Sequence, residues 1–179
     1  YLFQDEPIAV FATSANNGEE RFREVAEMTS AILRFPNERL ATFTCSFGAA
    51  KVSTYQVMGT KGDLRVDSAY ATQGERKHTI TIEGKTQERT FEPHDQLAAE
   101  FVYFSDCILQ NKDPEPSGQE GLIDVQIIDA LYHSLETGSF VPLDGLNRHQ
   151  RPTAAQTIER PPVQEQPDVV NVAPPSGKS

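Results

Sequence analysis

The stretch Ala41-Thr-Phe-Thr-Cys-Ser-Phe47, followed by Ser53-Thr-Tyr-Gln-Val-Met-Gly-Thr-Lys-Gly-Asp-Leu-Arg-Val66, decides how the chain is read. Phe43, Cys45 and Phe47 alternate with Thr42, Thr44 and Ser46, the two-residue period of a half-buried strand. Tyr55 and Val57 alternate with Thr54 and Gln56 in a second strand. Gly59-Thr60-Lys61-Gly62 then supplies a tight reversal into a third strand ending at Val66. The rest of the chain reads as strands added to this sheet or helices laid across it.

Upstream, Asp5-Glu-Pro7 stops a helix end at Tyr1-Leu-Phe3, because proline disfavours helical geometry at the residue before it. Ile8 to Thr13 reads as a strand, Asn16 to Glu19 as a turn, and Glu24 to Phe35 as a long strand partly covered on both sides. Pro36 to Arg39 reverses the chain into the central strand, so the first half is an antiparallel meander. Downstream, Asp67 to Lys77 is a polar loop, and Lys77–Glu83 with Thr86–Phe91 forms a charged hairpin suited to a sheet edge.

From Pro93 the period lengthens to that of a helix. Leu97, Phe101, Phe104 and Ile108 fall on one stripe, and Asn111 to Pro116 breaks the helix. Ser117 and Glu120 have the spacing of a capping box, opening a helix striped by Leu122, Val125, Ile128, Leu131 or Tyr132, and Leu135. Gly138 is placed to end it. The fold class is therefore α+β: an open, mostly antiparallel meander sheet with two or more helices on one face. Residues 148–179 hold half of the prolines and no periodicity, which reads as a disordered tail; Pro161–Pro167 reads as part of that solvated tail, the alternative being a polyproline-type ligand.

A formal charge of −10 argues against nucleic acid or an anionic membrane as partner. No apolar run reaches the ~18 residues of a membrane span. Cys45 and Cys107 sit in apolar patterns and read as buried free thiols. The Gly59–Gly62 stretch lacks the spacing of a phosphate-binding loop, and no Gly-x-Gly-x-x-Gly fingerprint occurs. His78, His94, His133 and His149 are scattered rather than at ligand spacing; His94-Asp95 suits a helix start. Asp106, Asp124 and Asp129 offer carboxylates on the helices, but Asp124 and Asp129 point to different sides of one helix and read as a solvated face. The residues thus designate no catalytic, cofactor-binding or metal site. Thr42, Thr44, Ser46, Thr54 and Gln56 make a small, polar, low-charge face, which is either solvated or an interface between subunits.

The order A-x-F-x-x-S-F … Y-x-V-x-G-T-x-G-x-L resembles the C-terminal domain of the Gfo/Idh/MocA family of NAD(P)-dependent sugar and polyol oxidoreductases. The resemblance continues through Phe101–Ile108 and Gly121–Gly138, covering roughly residues 1 to 144. It implies a substrate-cleft and oligomerisation domain over 1–147, with a tail over 148–179, taken from a longer protein. NAD or NADP and the catalytic Glu-Lys-Pro lysine would belong to an N-terminal Rossmann domain outside this chain, leaving the chain inactive alone. The partners implied are a sugar or polyol substrate and further copies of the chain, meeting through Thr42, Thr44, Ser46, Thr54 and Gln56. The alternative is a non-enzymatic sheet module for dimerisation or for protein or carbohydrate binding. Cytoplasmic location is the default expectation.

Overall fold

The structure is a computed structural model that describes residues 2–71, 74–146, 148 and 151–161. The chain divides into two compact units: Tyr1–Ala49 with Asp113–Ala154, and Ala50–Lys112 with Ala155–Ser179.

The first unit is built on β1 (Ala9–Ala15), β2 (Met28–Phe35) and β3 (Arg39–Ser46), joined by α2 (Gly118–Thr137) and the short β8 (Val141–Pro142). These strands form an antiparallel sheet in the order β3-β2-β1-β8. The β2–β3 reversal places Asn37 and Glu38 at φ 60° and 57°. Arg39 closes it, donating to the carbonyls of Pro36 and Phe3 at 2.9 and 2.8 Å and pairing with Asp5. β2 starts at Met28, four residues later than its alternation predicts. The Asn16 side chain accepts the Glu27 amide, and the Glu27 carboxylate accepts the Asn17 amide at 2.9 Å. Side-chain bonds of this kind take backbone groups that a strand would otherwise use.

The second unit holds β4 (Thr54–Gly59), β5 (Gly62–Asp67), β6 (Arg76–Ile82) and β7 (Lys85–Phe91), in that order across one antiparallel sheet, with α1 (Gln96–Gln110) following. The charged β6–β7 hairpin lies at the sheet edge, as its sequence predicts. Gly62 is required by close approach: a Cβ there would overlap the backbone carbonyl oxygen of Thr81 on β6.

The α+β class and antiparallel pairing stand, but the single meander becomes two four-stranded sheets. The break falls between β3 and β4. There the Ser46 hydroxyl accepts the amides of Gly48 and Ala49, both at 3.1 Å, and bends the chain out of β3.

The helices exist where their periodicity places them, but they bury other faces than predicted. On α1, Leu97, Phe101, Phe104 and Ile108 are exposed, and Cys107 is the buried residue. On α2 the buried positions are Glu120, Ile123, Ala130 and Ser134, whereas Leu122, Val125, Ile128 and Tyr132 are exposed. α2 lies against β1 and β8, where Val10 and Ala12 are buried. Ala130 and Ser134 are small enough to let the helix backbone approach β1, which a stripe of Leu, Val and Tyr would hold off. Asp95 caps α1, its carboxylate accepting the Ala98 amide at 2.9 Å, and Gly138 ends α2 at φ 63°. The capping box of α2 does not form: Ser117 makes no side-chain capping bond, and the Glu120 carboxylate is engaged by Arg148. Residues 162–179, which include most of the predicted polyproline-type segment, lie outside the described residues.

Candidate functional site

Two polar constellations stand out in the first unit. The first is the outer face of its sheet. Strand register sets Thr42 beside Ile32 and Phe11, and Thr44 beside Ser30 and Thr13. The hydroxyls of Ser30 and Thr44 meet at 2.8 Å across β2 and β3. The face is rich in hydroxyls and nearly free of charge, with Arg34 at one end beside Ala9 and Leu40. Thr54 and Gln56 do not belong to it. They lie on β4 of the other sheet, where Gln56 donates to Asp63 at 3.3 Å and faces Arg65 in register. The predicted five-residue face is therefore divided, because β3 and β4 are not neighbours in one sheet. On that second sheet Asp67 raises the pKa of Arg65, by its hydrogen bond first and its charge second, which leaves Arg65 charged at every working pH.

The second constellation sits at the start of α2. Arg148 donates through Nε to Glu6 at 3.0 Å and through Nη1 to Glu120, and its Nη2 lies 3.7 Å from Asp124. Arg151 donates to the same Glu6 oxygen at 2.8 Å. The Arg148 and Glu120 side chains are only 9 % and 8 % exposed, so this is a largely desolvated ion-pair network. Glu120 also lines a cavity of about 360 Å³ bounded by Asp113, Pro114, Glu115, Ser117, Gly118 and Gln119. The lining offers carboxylate, hydroxyl and amide groups, a set able to hydrogen-bond a hydroxylated molecule.

The remaining singled-out residues do not converge. His78 packs against the ring of Phe91 with centroids 4.3 Å apart, and the His94 ring meets the Arg160 carbonyl at 3.3 Å. His133 lies 3.7 Å from Glu136 one turn on, and His149 is outside the described residues. Asp106 and Asp129 are exposed, while Asp124 joins the Arg148 network. Cys107 is buried as predicted, but Cys45 on β3 is exposed, which corrects the expectation of a buried thiol; its thiol faces the Thr29 carbonyl at 3.8 Å. Among the described residues no group of three or more His, Cys, Asp or Glu is placed to hold a metal ion, and no helix is long and apolar enough to cross a membrane.

Sequence reasoning missed Ser134 and the network of Glu6, Glu120, Arg148 and Arg151. The pairs Arg148–Glu6 and Arg148–Glu120 join positions 142 and 28 residues apart. Local periodicity carries no signal at that range.

Comparison with known proteins fixes the family. Residues 1–143 match the family described as oxidoreductase family, C-terminal alpha/beta domain, of the Gfo/Idh/MocA group. Over 145 residues the chain is 37% identical to the D-xylose 1-dehydrogenase [NADP(+)] of Haloarcula marismortui, covering 80% of this chain and 40% of that enzyme. It is 28% identical to D-xylose 1-dehydrogenase (NADP(+)) 2 of Haloferax volcanii, covering 80% and 44%. Among solved structures it is similar to aldose-aldose oxidoreductase from Caulobacter crescentus, with TM-score 0.72 and 30% identity over 80% of this chain and 43% of that one. The fold is shared with levoglucosan dehydrogenase at TM-score 0.60 and 18% identity, over 76% of this chain and 44% of that one. The chain thus spans less than half the length of the relatives it matches, and it belongs to the Gfo/Idh/MocA oxidoreductase family as a C-terminal alpha/beta domain.

Proposed function

We propose that this chain serves as the C-terminal domain of an NADP-dependent aldose dehydrogenase, supplying one wall of the sugar cleft and the surface through which subunits meet. The observation that carries the reading is the 37% identity to an NADP-dependent D-xylose dehydrogenase, sustained over 145 residues. In such a reaction the hydride on C1 of the cyclic sugar passes to the nicotinamide and the C1 hydroxyl proton to a base, leaving a lactone. The nucleotide site and the acid–base lysine are assigned to the part of a longer polypeptide that this chain does not span, so residues 1–179 alone turn over no sugar. The outer face of the first sheet, with its paired hydroxyls of Ser30 and Thr44, is the surface assigned to subunit contact.

The test compares two proteins in an NADP+ reduction assay with D-xylose and a panel of other aldoses. Aldose-dependent NADPH formation by the longer polypeptide, and none by 1–179, supports the reading. Turnover by 1–179 alone overturns the division of labour, and a longer polypeptide inert to every aldose overturns the function.

A further inference from the structure

The first sheet has one open side. Its order β3-β2-β1-β8 leaves β3 bonded to β2 alone, and among the described residues no strand lies along its other edge. At the opposite edge β8 is only two residues long and ends in Pro142. On the second sheet β7 carries Lys85, Glu88 and Arg89. Short strands, prolines and charges are the devices that keep a sheet edge from pairing with another chain. β3 from Leu40 to Ser46 has none of them, and its register with β2 runs through without a bulge. β4 is uncharged too, but it is shorter and ends in Gly59, which has no side chain to pack across a seam.

One bond tells which backbone groups of β3 face outward. The Phe47 amide donates to the Glu27 carbonyl at 3.0 Å, extending the β2–β3 register by one pair. Along an antiparallel strand these groups alternate in direction. The odd-numbered residues of β3 therefore bond to β2, and Leu40, Thr42, Thr44 and Ser46 turn their N–H and C=O groups away from it. That set is its own mirror image about Phe43. When a second β3 lies antiparallel along the first, one register alone sets every outward residue opposite another: Leu40 opposite Ser46 of the second copy, and Thr42 opposite its Thr44. A slide to either side sets Ser46 against Glu38 or Leu40 against Gly48. In the matched register the two Phe43 residues meet on the axis. Phe43 shares a face with Ala31 and Ala12, both buried, yet it is 42% exposed itself. A cross-strand pair of aromatic rings is the cover that such a residue fits.

We propose that this protein dimerises by adding β3 to β3 of a second copy, which joins two four-stranded sheets into one across a twofold axis at Phe43. The pairing consumes the open edge of both copies, so the assembly closes at two. This contact is separate from the one through the outer sheet face, and it does not rest on the enzymatic reading.

Disulfide trapping in the full 1–179 chain tests it. Cys45 is exposed and Cys107 is buried, so the wild type offers one reactive thiol. In the proposed register position 41 faces Cys45 of the second copy in a non-hydrogen-bonded pair. The Cα atoms of such a pair stand about 4.5 Å apart, within the span of a disulfide. Within one copy the two positions lie roughly 14 Å apart along the strand and cannot join. Ala41→Cys should therefore form a covalent dimer under oxidised glutathione at least about tenfold faster than wild type, whose Cys45 faces only Ala41. Chymotryptic cleavage after Phe43 separates the two positions, and the bridge should link position 41 to Cys45. Adding Thr42→Pro removes an outward amide and spares the bonds to β2, so it should return the rate to that of wild type. Where that proline also changes the far-UV circular dichroism, Phe43→Cys combined with Cys45→Ser decides: position 43 meets itself on the axis and should be trapped as fast as Ala41→Cys. An Ala41→Cys dimer no faster than wild type overturns the edge pairing. So does a bridge linking like positions in that variant, a rate unmoved by Thr42→Pro, or a Phe43→Cys, Cys45→Ser protein that stays monomeric.

Discussion

The Ser134 hydroxyl accepts the backbone amide of Ala12 at 2.9 Å and donates to the carbonyl of Ser139 at 2.7 Å. β8 pairs with β1 only at Ala9 and Val10, so the ladder stops short of Ala12. A helix side chain, wholly buried, takes over where the strand runs out. Ser134→Ala removes this substitute and leaves the Ala12 amide buried without its acceptor. The expected loss is about 1–3 kcal/mol, read as a lowered urea midpoint at unchanged slope. A midpoint equal to wild type would mean that water reaches the amide.

That bond shows where sequence reading stops. The strands were legible because alternation is local: Thr42-Phe43-Thr44-Cys45 declares its period within four residues, and the reversals at Pro36 and Gly59 make consecutive strands antiparallel. The family resemblance was legible for the same reason, since its pieces lie in short runs. The division into two sheets was not, because it depends on the Ser46 hydroxyl turning back to the amides of Gly48 and Ala49. Periodicity also found both helices without finding their buried faces. α2 is apolar on more than one side, and the choice between Leu122 and Ile123 is made by β1, more than 100 residues earlier in the chain.

Neighbouring residues on α2 separate those two readings. Ile123 is 1% exposed and Leu122 is 49% exposed. Ile123→Ala should cost about 2–5 kcal/mol by removing buried methylenes and leaving a cavity, whereas Leu122→Ala should cost less than about 1 kcal/mol. Paired denaturation curves of the two variants decide it. Equal losses would put the sheet-facing stripe where the periodicity alone placed it.

Two glycines should respond in opposite directions to the same change. Gly62→Ala drives a methyl group into the Thr81 carbonyl and so pushes β5 and β6 apart, costing about 1–3 kcal/mol or more. Gly121 lies inside α2, and a methyl group on its Cα would meet nothing within 4 Å, so Gly121→Ala should stabilise by about 0.5–1 kcal/mol. Thermal unfolding followed by circular dichroism reads both. A stabilising Gly62→Ala would mean that the two strands do not approach as closely as described.

The subunit surface proposed above makes the last prediction. On the outer face of the first sheet, Thr44 pairs in register with Ser30, which pairs in turn with Thr13. An arginine at 44 would break the 2.8 Å hydroxyl contact and set a charge amid hydroxyls and aliphatic groups that offer it no carboxylate. If two copies meet there, Thr44→Arg buries that charge without a partner and should weaken association at least about a hundredfold, ~3 kcal/mol. If the face is solvated, the same substitution is nearly neutral, because an exposed arginine on a strand keeps its own water. Gln56→Arg supplies the control: Gln56 lies on the other sheet beside Asp63, which can receive the new charge. Light scattering across a concentration series should therefore show Thr44→Arg losing mass at concentrations where wild type and Gln56→Arg remain associated. A Thr44→Arg mass curve that overlays the wild type removes this face as the interface, and a mass lost equally by both variants moves the contact off the first sheet alone.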